Sequence, residues 1–498
     1  MAQRDFSTRN VSAEEWRRAA RELSESGARL AALWVSGAGQ GALTVRAAFF
    51  TATGPLLLNL PLDADTAGYP GLEDLFPCAA RMQRAAADMS GLRASDPDTR
   101  PWLRHNAWPP GFRPLIDPLP ASVPEPGIDT YEFVRVEGEG VHEIAVGPVH
   151  AGIIEPGHFR FSVVGEKVLR LEERLGYVHK GIERRFTELP LLEAHRLAAR
   201  VSGDSAVAFS WAYCQALECL ADVTIPARAA WLRALCLELE RVANHLGDLG
   251  ALGNDAGFAF GLMQFSRLKE RLLRACAAVL GERYLMSAIV PGGTAVDLSG
   301  AGADELRACA AAIAHEASGL RAIYDEHAGV RDRFNGAGII APPLAARLGL
   351  TGLAGRASGQ AFDLRIDWPC APYAELAVGR IGSSAGDVAA RVAVRFDELA
   401  ESLRLIDAII AGVPAGSRLE VVGVPVAGAL GIGAIEGWRG PVLVALEAGP
   451  AGTISRCHPH DPSWQNWPVL EHAIIDNIVP DFPLINKSFN LSYSGHDL

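Results

Sequence analysis

The helical periodicity of residues 177–327 constrains the fold of this chain more than any other feature of its sequence. Apolar side chains recur there at the spacing of a helix face, as in the series Leu232, Leu235, Leu239, Val242 and Leu246. Prolines fall where helices would begin or break. They divide the stretch into predicted helices at residues 191–200, 203–222, 227–249, 261–281 and 302–327. Consecutive amphipathic helices of this length bury their apolar faces against one another, so we predict a helical bundle.

The residues before the bundle predict a smaller unit of mixed structure. Ser12 and Glu15 have the spacing of a capping box, which predicts the start of a helix. The runs Leu30–Val35 and Leu43–Thr51 predict strands, and Ala79–Met89 predicts a second helix. A chain of 498 residues is too long for one ordinary core, so this unit is expected to form a separate domain.

The predicted fold class is therefore α+β. We expect a small N-terminal α+β domain at residues 1–117, a proline-rich linker at 118–130, and a large domain at 131–498. The large domain is predicted to have a helical bundle core that is flanked by short β-sheets.

The C-terminal part of the chain adds one long helix and more strands. A helix is expected at Ala385–Ile410, with Arg391, Arg395 and Glu398 on one face. Among the strands expected after it is one at Leu419–Val422.

The formal net charge of −12 argues against a nucleic-acid partner, because such surfaces need clustered lysine and arginine. Residues Met1–Trp16 carry no apolar core of the signal-peptide type. No uncharged apolar stretch reaches the roughly 18 residues that a spanning helix needs. We therefore expect a soluble, cytoplasmic chain that reaches a membrane only through partners.

None of the eight cysteines stands in a CxxC pair. Scattered single cysteines in a chain without a secretion signal are typical of small buried hydrophobic residues. We favour that interpretation over a redox or metal-binding role.

The loop Gly147–His158 is the stretch richest in candidate proton-transfer groups. It contains His150, Glu155 and His158 between glycines and prolines. Such groups relay protons near neutral pH when burial brings their pKa values together. Spacing alone also fits a surface loop whose side chains only cap backbone groups, so both interpretations stay open.

The turn Arg200–Ser205 leads into a predicted helix. Ser202, Asp204 and Ser205 are good capping residues, which is the simplest interpretation of the turn. Hydroxyl and carboxylate oxygens are hard donors, unsuited to a redox-active transition metal. No dinucleotide fingerprint or phosphate-binding loop occurs in the right context, so the sequence predicts no nucleotide site.

Several motifs together resemble a known family. They are Arg81 to Gly91, Gly147–His150, Glu155-Pro156, Gly176–Glu183, Arg200–Tyr213, Glu436, and Arg439-Gly440. The chain resembles the fused C-type and D-type large subunit of complex I (NADH-quinone oxidoreductase). It is similar also to the large subunit of energy-converting NiFe hydrogenases of the formate hydrogenlyase type. One departure is Ala80, which stands where the C-type signature has an acidic residue.

The resemblance implies that the metal-binding cysteines of the hydrogenases are absent. Their two CxxC pairs fall on Ser202 and Ser205, and on Ser492 and Gly495. A nickel–iron centre needs soft thiolates, so we expect none here and no metal ligands. We likewise expect no cleavable maturation segment after Gly495.

The resemblance also implies partners and residue roles. We expect a hetero-oligomer with a small iron–sulfur (B-type) subunit, which holds the cluster, and with membrane subunits, on the inner face of the cell membrane. Quinone or an unknown acceptor would occupy the former metal cavity of a complex of NADH dehydrogenase type. By the resemblance, Glu155, His150 and His158 would act in proton transfer or acceptor contact. The cavity would be lined by Ser202, Asp204, Ser205, Arg200 and Tyr177.

Two further hypotheses stay open. The chain is alternatively a redox-inactive scaffold that links iron–sulfur subunits to membrane subunits. An active hydrogenase is a third possibility, which the missing thiolates argue against.

Overall fold

The small N-terminal unit is built on a four-stranded sheet. The computed structural model describes residues 6–37, 43–63, 66–106, 108–109, 111–122, 125, 130–152 and 154–498. The elements of this unit are β1 (Ser7–Asn10), α1 (Ala13–Glu25), β2 (Arg29–Ser36), β3 (Leu43–Thr51), β4 (Gly54–Leu62), β5 (Gly68–Tyr69), α2 (Ala79–Ser90) and β6 (Arg93–Ala94). The sheet order is β1-β4-β3-β2, with β1 and β4 parallel and the other neighbours antiparallel.

The predicted capping box begins α1. The Ser12 hydroxyl accepts from the Glu15 amide at 3.3 Å, and the Glu15 carboxylate accepts from the Ser12 amide at 3.0 Å. Trp16, Ala19 and Ala20 then face the core, because helical spacing puts them on one side.

A three-stranded antiparallel sheet opens the second part of the chain. Its strands are β7 (Val141–Val146), β8 (His158–Val164) and β9 (Lys167–Arg174), in the order β7-β8-β9. The loop at residues 147–157 joins β7 to β8 and therefore leaves this sheet at one edge.

The middle of the chain is helical, as predicted. Its elements are α3 (Ile182–Phe186), α4 (His195–Ala198), α5 (Ala206–Leu220), α6 (Ala227–Asp255), α7 (Ala259–Leu280), β10 (Ile289–Val290), β11 (Gly293–Thr294), α8 (Gly300–Glu326), α9 (Ala328–Phe334), α10 (Pro342–Leu348), α11 (Gly352–Ala357), α12 (Leu364–Asp367) and α13 (Val388–Gly412). The long helices α6, α7, α8 and α13 pack on one another as a bundle.

The C-terminal part forms a second three-stranded antiparallel sheet and short helices. Its elements are β12 (Leu430–Glu436), β13 (Pro441–Ala448), β14 (Ile454–His460), α14 (Ser463–Ala473), α15 (Phe482–Phe489) and α16 (Tyr493–Asp497). The sheet order is β12-β13-β14, and α5 packs against β12 and β13.

The strand expected at Leu419–Val422 was wrong, and β12 was not predicted. Residues around Leu419 make only an isolated bridge to Gly293. The sequence of β12 is rich in glycine, which is unfavourable in most strands. Gly433 is needed here because a side chain would collide with the Ala212 carbonyl of α5. Close approach of a helix thus explains a strand that its own propensity does not predict.

The fold class is α+β, as predicted, with small sheets around a helical bundle. Residues 123–124 and 126–129 of the expected linker lie outside the described residues. The division into domains at residues 117 and 131 stays a prediction. Within the described part of the chain, no helix combines the length and the apolar character needed to cross a membrane.

Candidate functional site

The two serine-containing turns of the chain lie against each other. Ser202 stands in the turn that leads into α5, and Ser492 is the N-cap of α16. Their hydroxyl oxygens are 2.8 Å apart although the residues are 290 positions apart in sequence, and both side chains are buried. Ser492 also accepts a hydrogen bond from the Gly495 amide at 2.9 Å. The fold therefore brings both turns into one site.

Asp204 forms an ion pair with Arg439, which follows β12. Arg439 Nη2 lies 2.6 Å from Asp204 Oδ2. Ser202 and Ser205 donate to Asp204 Oδ1 at 2.8 and 3.3 Å. Because the single hydroxyl proton of Ser202 goes to Asp204, Ser492 is the donor to Ser202. Burial alone would raise the pKa of Asp204, but the Arg439 guanidinium outweighs burial and lowers that pKa. The carboxylate is therefore ionised, and its charge is neutralised within the protein.

Gly495 lies beside a buried carboxyl group. A Cβ atom at Gly495 would come within 2.6 Å of Asp461 Oδ2 and 2.9 Å of Ser492 Oγ. Asp461 Oδ1 accepts from the Ser463 amide at 2.8 Å, whereas Oδ2 is buried and has no hydrogen-bond partner among the described residues. Burial raises the pKa of Asp461. A side chain at position 495 is excluded while Asp461 keeps this place.

The residues of this site do not fit a nickel–iron centre. Ser202, Ser205 and Ser492 offer hydroxyl oxygens, which are hard donors, in place of soft thiolates. The hydroxyls of Ser202 and Ser492 are hydrogen-bonded to each other, and Gly495 has no side-chain atom that could bind a metal ion. In the described ranges, no group of three or more His, Cys, Asp or Glu is arranged to hold a metal ion.

The loop between β7 and β8 contacts the second serine turn. Glu155 Oε2 accepts from the Ser494 amide at 3.0 Å. His150 Nε2 lies 3.5 Å from the Tyr493 hydroxyl. Two of the residues expected to act in proton transfer, His150 and Glu155, are thus placed next to the C-terminal turn. Glu155 is exposed, and His150 is partly buried.

His158 lies on the inner side of the same loop. It is the first residue of β8 and is buried. Its Nδ1 atom is 3.3 Å from the Gly147 carbonyl oxygen, and its ring lies 5.1 Å from that of Phe133. His158 therefore anchors the base of the loop in this structure.

Arg200 begins the turn that leads into α5, and Tyr177 follows β9. The Tyr177 ring packs against that of His105 at 4.5 Å. Arg200 is exposed, and its guanidinium donates to the Arg196 carbonyl at 2.6 Å. Their expected roles stay predictions.

Glu240 and Asn244 of α6 belong to the site and were not predicted. The Glu240 carboxyl accepts from the amides of Val207 and Ala208 at 2.7 and 3.3 Å, and so caps α5. Asn244 donates to the Asp204 carbonyl at 2.8 Å. Burial, with the nearby Asp204 charge, raises the pKa of Glu240 to about 8. An acidic residue beside the leucine face of a buried helix was the signal that could have found Glu240.

A small cavity reaches this corner of the site. Its volume is about 150 Å³, and its lining includes Gly203, Asp204, Glu240, Asn244, Lys269 and Arg283. Asp204 and Glu240 therefore line the same small cavity.

Similarity to known proteins assigns this chain, with its small α+β unit, its helical bundle and its two paired serine turns, to the large subunits of the complex I and hydrogenase type. Residues 255–427 match the family described as respiratory-chain NADH dehydrogenase, 49 Kd subunit. Formate hydrogenlyase subunit 5 of Escherichia coli K12 is 30% identical over 449 residues, which cover 89% of this chain and 79% of that protein. The chain therefore belongs to the family of the NADH dehydrogenase 49 Kd subunit and its hydrogenase relatives.

Further similarities agree with this family. The C/D protein of NADH-quinone oxidoreductase from Phocaeicola vulgatus is 26% identical over 402 residues, which cover 76% of this chain and 77% of that protein. A chain in the structure of the membrane-bound sulfane sulfur reductase, an archaeal respiratory membrane complex, superimposes with a TM-score of 0.68. It is 24% identical and covers 72% of this chain and 99% of that one, which supports the fold.

Proposed function

We propose that the chain is a subunit of a membrane-associated, respiratory-type oxidoreductase complex that works without a nickel–iron centre. In this proposal an iron–sulfur cluster on a partner protein delivers electrons to quinone or another acceptor beside this chain. Electron arrival is coupled to proton or ion movement in membrane subunits. The names of the relatives support the setting, since they are subunits of formate hydrogenlyase and of NADH-quinone oxidoreductase.

The observation that carries the proposal is the contact between the loop at residues 147–157 and the C-terminal turn. An exposed carboxylate, Glu155, and a partly buried imidazole, His150, stand next to a turn whose hydroxyls form a continuous hydrogen-bonded chain to Asp204. Acids and imidazoles so placed can deliver protons to an acceptor that is being reduced. The acceptor would lie on the exposed side of this loop, against the partner that holds the cluster.

A second candidate function is a redox-inactive scaffold between iron–sulfur and membrane subunits. This function is favoured by the hydrogen bonds and the ion pair that the polar groups of the two serine turns already form within the chain. Ser202 bonds Ser492, and Asp204 is paired with Arg439. A site whose polar groups already have partners offers little to a ligand.

Titration of the intact complex with a quinone analogue, together with Glu155→Gln, separates the two candidates. If the first is correct, the analogue binds and Glu155→Gln lowers turnover at least about tenfold, because a proton donor is lost. The matched control is Glu166→Gln, on the exposed β8–β9 turn, which should leave turnover unchanged. Absence of binding with unchanged turnover in both variants would instead support the scaffold.

Metal analysis of the same complex tests the statement about nickel. We expect no nickel bound by this chain, because hydroxyls replace thiolates at the serine turns. Stoichiometric nickel that depends on Ser202 and Ser492 would contradict the proposal.

A further inference from the structure

Two charged stripes face each other inside the helical bundle. The stripe on α6 comprises Glu238, Arg241, His245 and Asp248, and the stripe on the antiparallel α13 comprises Arg391, Arg395, Glu398 and Ser402. Arg395 lies 3.0 Å from Asp248, and His245 Nε2 lies 3.1 Å from Glu398 Oε2. At the far end, Ser402 donates to Glu238 at 2.7 Å. Helices that bury charges in this way need a partner for each charge.

Four carboxyl groups share three guanidinium groups around these stripes. The carboxyl groups belong to Glu238, Asp363, Glu398 and Glu436, the guanidinium groups belong to Arg241, Arg356 and Arg365, and each of these side chains is 4% exposed or less. Arg356 lies 2.6 Å from Glu398 and 2.8 Å from Glu436. Fully ionised, the group would hold one carboxylate more than it has guanidinium partners. An unmatched charge in the interior is costly, so a proton is the natural counter-charge.

The neighbouring cations are engaged elsewhere. Arg395 and Lys487 both contact Asp248, at 3.0 and 3.3 Å. Arg391 donates from Nε to the Ser488 hydroxyl at 2.8 Å, and from its other nitrogens to backbone carbonyls. These side chains therefore form separate interactions along the stripe.

Hydrogen bonding distinguishes Glu436 from the other carboxyl groups. Glu238 accepts from Tyr373 and Ser402 hydroxyls, at 2.7 Å each, in addition to its arginines. Among the residues that the structure describes, Glu436 accepts only from Arg356 Nη1 at 2.8 Å and from the Leu364 amide at 3.1 Å. The same Arg356 nitrogen is shared with Asp363 at 3.8 Å. Glu238, Asp363 and Glu398 each lie within 4.0 Å of two of the three guanidinium groups, whereas Glu436 lies within that distance of Arg356 alone. The negative charge of Glu436 is therefore the least supported of the four.

His245 is a poorer place for the proton. Its Nε2 atom faces Glu398, and its Nδ1 atom is buried without a hydrogen-bond partner among the described residues. A second N–H on this ring would be a buried donor with no acceptor, which costs about 1–3 kcal/mol. Burial accordingly lowers the pKa of His245. Burial, with the nearby Asp363 charge, raises the pKa of Glu436 to about 7.

Glu436 is joined to the serine site by a short segment. Arg241 holds the carbonyls of Glu436 and Gly437 at 2.6 and 3.0 Å. The Trp438 indole donates to the Asp204 carbonyl at 2.9 Å, and Arg439 then pairs with the Asp204 carboxylate. A change in the charge or the position of Asp204 would therefore be transmitted to the backbone at Glu436.

A cleft between the N-terminal unit and residues of α10 and β13 lies next to the segments that hold Glu436. Its volume is about 790 Å³, and Arg29, Phe362 and Pro441 are among its lining residues. Pro441 is the direct strand partner of Glu436, and Arg356 donates to the Phe362 carbonyl at 3.2 Å. Arg29 also lines the cleft, but its guanidinium donates to the Gln360 side-chain oxygen at 3.1 Å and lies too far from Glu436 for an ion pair.

We propose that Glu436 is a proton-binding site of this protein, whose buried carboxyl group holds one exchangeable proton. On release, the carboxyl O–H bond breaks, the carboxylate remains beside Arg356, and the proton passes to water in the cleft. The use of this proton in proton-coupled electron transfer rests on the proposed function. The binding of the proton itself does not.

Infrared difference spectroscopy of the intact complex between about pH 5 and pH 9 tests the site, because a buried protonated carboxyl group has its own carbonyl stretching band. Burial raises the pKa of Glu240 as well as that of Glu436, so we expect the bands of both to disappear as the pH rises. Glu436→Gln should lack one of these bands, and Glu240→Gln should lack the other. Glu436→Gln should also take up about one proton fewer per chain over this range. The matched control is Glu447→Gln on β13, which pairs with Arg46 and should keep both bands.

Wild-type protein labelled with ¹³C-glutamate keeps the test valid if Glu436→Gln fails to fold. Both pH-dependent bands should then shift with the label, because both belong to glutamates, and labelled Glu240→Gln should keep only the band of Glu436. A pH-dependent carbonyl spectrum that is the same in folded Glu436→Gln as in the wild type, or the absence of a pH-dependent band that shifts with the label, would overturn the proposal. None of these measurements involves turnover, so their failure would leave the acceptor titration and Glu155→Gln as separate tests of the proposed function.

Discussion

His460 acts in the folded chain as an aromatic ring rather than as a base. It is buried on β14, lies nearly parallel to Trp464 at 6.2 Å, and Trp464 in turn stacks on His496 at 4.0 Å. Its Nε2 atom forms a hydrogen bond with the Gln465 side-chain oxygen at 3.1 Å. Burial, with the neighbouring His458 and His496, lowers the pKa of His460 to about 3. The uncharged form is therefore the one that the fold accepts.

We predict that His460→Phe makes stability less sensitive to acid. The unfolded ring takes up a proton below about pH 6.5 and the folded ring does not, so the wild type loses stability as the pH falls through that value. This residue contributes a loss of about 2 kcal/mol between about pH 6.5 and pH 5. Urea unfolding at both pH values should show a loss smaller by that amount in the variant. His142→Phe, at an exposed position, is the control; an unchanged pH slope in His460→Phe would contradict the prediction.

At the scale of elements, one buried ion pair ties α5 to α6 and to the β10–β11 hairpin. Arg233 lies 2.6 and 2.9 Å from the two oxygens of Glu218, and the side chains are 0% and 3% exposed. Glu218 also accepts from the Gly292 amide at 2.8 Å, and Arg233 donates to the Gly293 carbonyl at 3.0 Å. The pair thus serves the junction of three elements.

Removing one partner of this pair should destabilise the protein more than removing both. Arg233→Met leaves Glu218 buried without its cation, and we expect a loss of about 3–5 kcal/mol in the free energy of unfolding. The double variant with Glu218→Gln should recover part of that loss. Arg185→Met, which breaks an exposed pair with Glu188, is the control and should change stability little. Chemical denaturation measures all of these, and equal losses in the single and double variants would refute the argument.

The helices α6 and α13 illustrate what the sequence could and could not predict. The face shared by Arg391, Arg395 and Glu398 on α13 follows from helical spacing, which is local. Their partners Asp248 and His245 on α6 do not follow from it, because pairing between helices depends on the bundle's arrangement. Local patterns therefore predicted the elements, whereas their charge partners required the fold.

The candidate site also contains residues that the sequence could predict and residues that only the structure could reveal. His150 and Glu155 stand out in sequence because titratable residues cluster in one loop, and the structure places both at the C-terminal turn. Arg439, Asp461 and Glu240 reach the site from three different elements. No spacing rule connects them, so only the structure could bring them together.

At the scale of the whole molecule, hydrogen bonds and apolar contacts join the N-terminal unit to the rest of the chain. Arg456 of β14 donates to the Val35 carbonyl of β2 at 3.1 Å, and Gln465 of α14 donates to the Ala31 carbonyl at 2.8 Å. A single cluster of buried apolar side chains extends from the first sheet to the C-terminal helices. Contacts of this kind resemble those within a core more than those between separable domains.

Arg81 of α2 is the charged member of this contact. It lies 2.8 Å from Glu173 of β9 and 2.6 Å from Glu471 of α14, and its guanidinium lies over the Trp102 ring at 4.5 Å. The Glu173 side chain is 0% exposed; burial acts to raise its pKa, and Arg81 acts to lower it. The loss of Arg81 would therefore leave an uncompensated carboxyl group at the junction.

Arg81→Met should lower the stability of both parts of the chain together, by about 3 kcal/mol. Calorimetry should show one main transition that moves as a whole, at the same temperature as the loss of the helical circular dichroism. Adding Glu173→Gln should restore part of the loss, because the buried carboxyl group is then neutral. Arg17→Met, which breaks a more exposed pair with Asp74 within the N-terminal unit, is the control. Two transitions, of which Arg81→Met moves only one, would instead mean that the N-terminal unit and the helical domain unfold independently.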